Sequence, residues 1–136
     1  MVRFEASVDE AGIWHTRFHD STRAAVDDYI AVTSEFNQQI IAGEIACRLP
    51  VAVLWDLTIH TLPVLQRMVV MTLRKPPPTE ITHHIAYVAE NHVDLLEVEA
   101  ITMPLPSRHT RRYYLCDARK QAIQWLIDST EFTPAH

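Results

Sequence analysis

The sequence predicts a single α/β domain of order ββαβαβαβα, with a five-stranded, mixed but mostly parallel sheet covered by helices. Three observations carry this. Within Pro50-Val-Ala-Val-Leu-Trp-Asp-Leu-Thr58, the run Val51 to Leu54 is apolar without a break, too short for a helix and entered through a proline. A run apolar on both faces is the pattern of a central strand covered on each side. Helix-length segments separate this strand from its neighbours, so the strands they join should run parallel through right-handed crossovers. Finally, 136 residues at 48% apolar content fit one packed domain, and a chain of this size buries roughly 68% of its unfolded surface.

Each element has its own signal. Val2 to Val8 alternates apolar and polar, the period of a half-buried strand. Asp9-Glu-Ala-Gly12 supplies a turn and Ile13 to Phe18 a second strand, so the two form a hairpin with Trp14 and Phe18 on one face and His15 and Arg17 on the other. Asp20 or Ser21 can cap a helix from Thr22, in which Val26, Tyr29, Ile30, Thr33, Phe36, Ile40 and Ile41 keep the spacing of one buried stripe. Gly43 ends that helix in a left-handed turn, and Ser34 offers a place for it to break.

After the central strand, Thr61 can cap a helix Leu62–Leu73 with Pro63 in its first turn. Arg74-Lys75 suits its carboxyl end, and Pro76-Pro77-Pro78 stops it. Ile81 to Ala89 is the next strand. Asn91 caps a short helix through about Ile101, although Glu97-Val-Glu-Ala alternates as a strand would. Arg112 to Cys116 is the last strand, and Asp117 caps a helix carrying Ala122, Ile123, Leu126 and Ile127.

Composition narrows the function classes. A net charge of −5 argues against a nucleic-acid binder that relies on phosphate attraction. The two glycines, Gly12 and Gly43, rule out a GxGxxG or GxxxxGK phosphate loop. Cys47 and Cys116 stand far apart without a CxxC, which signals neither a disulfide framework nor a zinc motif. Met1 to Glu5 begins no hydrophobic signal core, and no apolar run approaches a membrane span, so the expectation is a cytoplasmic protein without cofactor or metal.

The strand Val-Leu-Trp-Asp-Leu-Thr at 53–58 and the closing strand and helix Arg-Tyr-Tyr-Leu-Cys-Asp-Ala-Arg-Lys-Gln-Ala-Ile-Gln-Trp-Leu at 112–126 resemble the STAS-related SpoIIAA-like proteins. The resemblance spans nearly the whole chain, and its most specific piece is Ala122-x-x-Trp125-Leu126 after a strand. It implies a non-enzymatic regulatory domain, since anti-sigma-factor antagonists use this fold to bind a protein partner. For SpoIIAA-like relatives it implies small-ligand or lipid binding, or membrane association. In antagonist STAS domains the corresponding strand leads into an Asp-Ser-Ser-Gly turn whose serine is phosphorylated. Here the stretch reads Leu62-Pro-Val-Leu-Gln66, so no serine switch of that kind is expected.

Two regions stand out as sites. The carboxyl ends of the parallel strands deliver His19 and Asp20, Asp56, Thr58 and His60, Asn91 and His92, and Asp117 to one rim. Imidazoles, carboxylates and helix N-termini on such an edge suit a small polar or anionic ligand. Plainer roles are open to the same residues, since Asp20, Asn91 and Asp117 stand where helices need caps. No HxH or HExxH spacing supports a metal. The second region is the helix Leu62–Leu73, in which Val64, Leu65, Met68, Val69, Val70, Met71 and Leu73 exceed one buried stripe. The excess, taken as Met68, Val70 and Met71, would meet a protein partner, a second copy or a lipid surface. His83 and His84 fall on opposite faces of their strand. Arg108, His109, Arg111, Arg112, Arg119 and Lys120 make the carboxyl third locally basic, either an anion or phospholipid patch or a solvated face.

Overall fold

The apolar run at 51–54 forms the middle strand of a five-stranded sheet. The computed structural model describes residues 2–106 and 108–135. Its elements are β1 (Phe4–Val8), β2 (Trp14–Phe18), α1 (Arg23–Ile41), β3 (Cys47–Leu49), β4 (Val51–Asp56), α2 (Leu62–Arg74), β5 (His83–Ala89), α3 (His92–Thr102), β6 (Thr110–Leu115), α4 (Arg119–Ser129) and β7 (Glu131–Thr133). The sheet order is β1-β2-β4-β5-β6. Only the β1–β2 pairing is antiparallel in it.

From β2 to β6 the strand order advances in one direction, so crossovers of one hand lay α1, α2 and α3 on the same face. There Val26, Phe36, Leu65, Met68 and Val98 meet Trp14, Phe18, Val53, Trp55 and Tyr87 in the larger core. α4 follows the last crossover and folds onto the other face, where Ala122 and Leu126 meet Ala52, Leu54 and Ala86. Val51 through Trp55 are all buried because both faces of β4 are covered.

α1 runs unbroken past Ser34 and is capped by Thr22, not by Asp20 or Ser21. Thr22 Oγ1 accepts from the Ala25 N–H at 3.3 Å, and Asp20 Oδ1 accepts from both the N–H and the hydroxyl of Thr22. At the far end Gly43, with φ of 71°, donates to Ile40 O while Glu44 N donates to Gln39 O. Those two bonds close a Schellman turn.

The structure departs from the sequence expectation in three further places. Asp117 caps nothing: it lies in a single 3₁₀ turn, Cys116–Ala118, and α4 starts behind Ala118. Two three-residue strands, β3 and β7, pair antiparallel as a separate ribbon. The Arg48 guanidinium holds that ribbon to the domain, donating to Ala11 O, Ile127 O and Thr130 O, each at 3.0 Å, and to Thr130 Oγ1 at 2.7 Å. Gly12 turns beneath it with φ of 84°, where a Cβ would stand 3.1 Å from both Arg48 Cγ and the Phe132 ring.

The third departure concerns α2. Met68 is only 3% exposed and belongs to the core with Val64, Leu65 and Val69, so it is no surface residue. Met71 is half-buried and packs against the same core, whereas Val70 and Leu73 are 43% and 46% exposed. The helical turn places positions 64, 65, 68 and 69 on one stripe and swings 70 and 73 away from it. Among the described residues no helix is long and apolar enough to cross a membrane.

Candidate functional site

The parallel topology does bring His19, Asp20, Asp56, Thr58, His60, Asn91, His92 and Asp117 to one edge of the sheet. Their side chains do not converge there. His19 Nε2 meets Glu5 at 3.2 Å, and Asp20 is engaged by Thr22. Asn91 Oδ1 accepts from the Asp94 N–H at 2.9 Å, capping α3. Thr58 N donates to Thr61 Oγ1 at 3.2 Å, and the Ser21 hydroxyl donates to the His60 carbonyl. His60, His92 and Asp117 are exposed. Asp56 pairs with Arg119 at the start of α4, on the face away from the larger core. Arg119 lies 3.5 Å from His15 Nδ1, and His15 Nε2 in turn meets Asp9 at 2.7 Å. Among the described residues no group of three or more His, Cys, Asp or Glu is placed to hold a metal ion.

The basic third is likewise drawn into local contacts. Arg111 donates to the carbonyls of Leu105, Pro106 and His109, Arg108 donates to Pro77 O, and Arg112 lies 4.9 Å from the Trp125 ring.

A cavity of about 340 Å³ lies on the other face, between α1, α2 and the sheet. It exists because the facing helices offer short polar side chains where bulky ones would be needed to fill the gap: Thr33, Ser34 and Asn37 from α1, Thr72 from α2. Trp14, Val53, Trp55, Met68, Ile85 and Tyr87 make its walls predominantly apolar, and Pro76-Pro77-Pro78 borders it beyond α2. Volume and lining fall within the range of small-molecule sites.

Three of the lining residues carry a buried polar atom with no hydrogen-bond partner: Thr33 Oγ1, Asn37 Oδ1 and His109 Nε2. Asn37 is 6% and His109 5% exposed. An unpaired polar group at that depth costs on the order of 1–3 kcal/mol. Thr72, by contrast, satisfies its hydroxyl on Met68 O at 2.9 Å. The residues that carry these groups line the cavity, while the three atoms themselves are covered by their neighbours.

His83 and His109 close the same cavity as a pair, Nδ1 to Nδ1 at 3.1 Å. Burial, then the neighbouring His109, then Arg108 push His83 from 6.5 down to about 3. Burial followed by Arg108 and Arg111 lowers His109 as well. Both rings are therefore neutral near pH 7, one donating Nδ1–H and the other accepting. The expectation that His83 and His84 lie on opposite faces holds: His84 stacks on Trp125 and bonds Ser129 Oγ on the α4 side.

Sequence reasoning missed this site although part of its signal was present. Tyr29, Thr33 and Asn37 repeat every four residues along the buried stripe of α1, a polar line where an apolar one is expected. His109 stood only in a run of basic residues, and nothing local ties it to His83, 26 positions earlier. No protein-family model, no curated protein and no solved structure matches the chain.

Proposed function

We propose that this chain is a non-catalytic binding domain that holds a small, mainly apolar molecule between α1, α2 and the sheet, in the manner the SpoIIAA-like resemblance implies. One observation carries the reading: an apolar cavity of about 340 Å³ among whose lining residues are three that each bury a polar atom without a partner. Native proteins leave few buried polar groups unmet, and in this reading a ligand satisfies these once their side chains turn toward it. A cytoplasmic setting belongs to the same reading and is supported by two free cysteines, Cys47 and Cys116.

The test is occupancy. Ile30→Trp, on the α1 wall, should fill the cavity and abolish binding of apolar probes that perturb Trp14 and Trp55 in the parent protein. Probe shifts confined to Trp125 and His84, on the opposite face, would refute the site.

A second reading, a regulatory domain that docks a protein partner or a second copy, is favoured by α3. Val93, Leu96, Ala100 and Met103 form an outward apolar stripe, and the adjoining α2 also exposes Val70 and Leu73. Concentration-dependent sedimentation that Leu96→Glu removes would establish self-association, and a monomer at all concentrations would refute it.

A further inference from the structure

The charges around the cavity are one-sided. Among the described residues none of its walls carries an aspartate or glutamate, while Lys75 stands on its lining. Arg108 reaches over to Pro77 O at 3.4 Å, and Arg111 is held on the carbonyls of Leu105, Pro106 and His109. Lys75, Pro77 and the histidine pair line one continuous cavity, so three cations gather about it without a carboxylate among the walls. From α1 the groups across from them are the uncharged Asn37 and Gln38. A cationic ligand would find no counter-charge here. An anion would find a positive field in a low-dielectric setting, where it acts more strongly than in water.

We propose that the ligand is a monocarboxylate with a compact apolar body. Its carboxylate sits at the end marked by His83, His109 and Lys75, and its body lies against Trp55, Ile85 and Tyr87. This rests on the cavity being a ligand site, and it names the chemistry of the occupant. A carboxylate has acceptor capacity for a donor on His109 Nε2 and for the Thr33 hydroxyl, two of the three groups left without partners. A matching neutral amide can bond the same atoms but gains nothing from Lys75, Arg108 or Arg111.

A proton accompanies the anion. Arg108 disfavours a charge on both rings, Arg111 on His109, and His109 on His83. A carboxylate beside the pair opposes that field and raises its affinity for a proton, so binding takes one up. Affinity for the acid therefore rises as pH falls from 7.5 toward 6, whereas affinity for the amide stays level. No bond to the ligand is made or broken.

The experiment is calorimetric titration with phenylbutyrate and octanoate, each beside its own amide, in two buffers of different ionisation enthalpy. The acids should bind at least about tenfold more tightly than the amides, a charge-assisted margin, with proton uptake for the acids alone. His109→Gln should remove most of that margin. Lys75→Met, at an exposed position, should lower acid affinity and leave amide affinity unchanged, and it keeps the test open should His109→Gln fail to fold. Equal affinity for acid and amide would overturn the carboxylate assignment and leave the cavity standing as a neutral site. Binding of none of the four would overturn the cavity itself.

Discussion

His83 and His109 come from β5 and from the loop before β6, and meet nitrogen to nitrogen at 3.1 Å with their rings edge to face. The bond needs a lone pair on one of the two Nδ1 atoms. A proton on that nitrogen forces two donors against each other beside Arg108.

That constraint gives stability a defined pH dependence. The folded pKa of His83 lies at about 3, below the usual 6.5. Between these values the unfolded chain binds more protons, so the contribution is complete above 6.5 and is lost as pH falls. The slope approaches about 1.4 kcal/mol per pH unit for each such histidine. Melting temperature should decline from pH 7 to pH 5, and His83→Gln should flatten the decline. His84, lowered by burial and by Arg112, leaves a residual slope. A decline as steep in the variant as in the parent would contradict the assignment.

Thr33→Val keeps the shape of the side chain and deletes a hydroxyl that has no partner. It should stabilise the free protein by about 1 kcal/mol, or a few degrees of melting temperature. Ligand affinity should fall at the same time. A substitution that strengthens the fold and weakens binding separates a functional group from a structural one.

Asp56→Ala tests the rim. The Asp56–Arg119 pair is partly exposed, so its loss should cost about 0.5 kcal/mol. Because Asp56 lies on the face opposite the cavity, ligand affinity should not change. Abolished binding with an unaltered melting curve would return the site to the sheet edge.

Arg48→Met should be far more damaging than a surface arginine would suggest. It strips hydrogen bonds from three backbone carbonyls and one hydroxyl and frees the β3–β7 ribbon, at a cost of about 3 kcal/mol. Gly12→Ala should cost about 1–3 kcal/mol beneath the same side chain, through its positive φ and the 3.1 Å contacts. Denaturant midpoints measure both.

The five strands of the sheet and the four helices were legible because each carried a period or a punctuating residue. Val51–Leu54 could be only a buried strand, and Gly43 could only end a helix. β3 and β7 were not legible, since Cys-Arg-Leu and Glu-Phe-Thr are too short to show a period. Arg48, which no motif singles out, is their clamp. At the rim, topology correctly placed the backbone of Asp56, His60 and His92 on one edge. Side-chain direction is settled by the nearest partner instead, and Arg119, Thr22 and Asp94 supplied those partners locally. The cavity is a property of what fails to fill space between α1 and α2, and a one-dimensional pattern of apolar residues carries no measure of volume.

The Arg48 clamp also has a consequence for synthesis on the ribosome. The guanidinium is made early, yet the hydroxyl that receives it belongs to Thr130, 82 positions later. Until α4 and the following strand have left the exit tunnel, the growing chain holds a cation with only Ala11 O of its acceptors in place, and a glycine turn that lacks the Phe132 ring above it. The hairpin and central strand can pair before then, but their lower edge stays loose. Completion of this domain is tied to the arrival of its last helix, so a nascent chain stalled short of Thr130 exposes the ribbon's open strand to its neighbours.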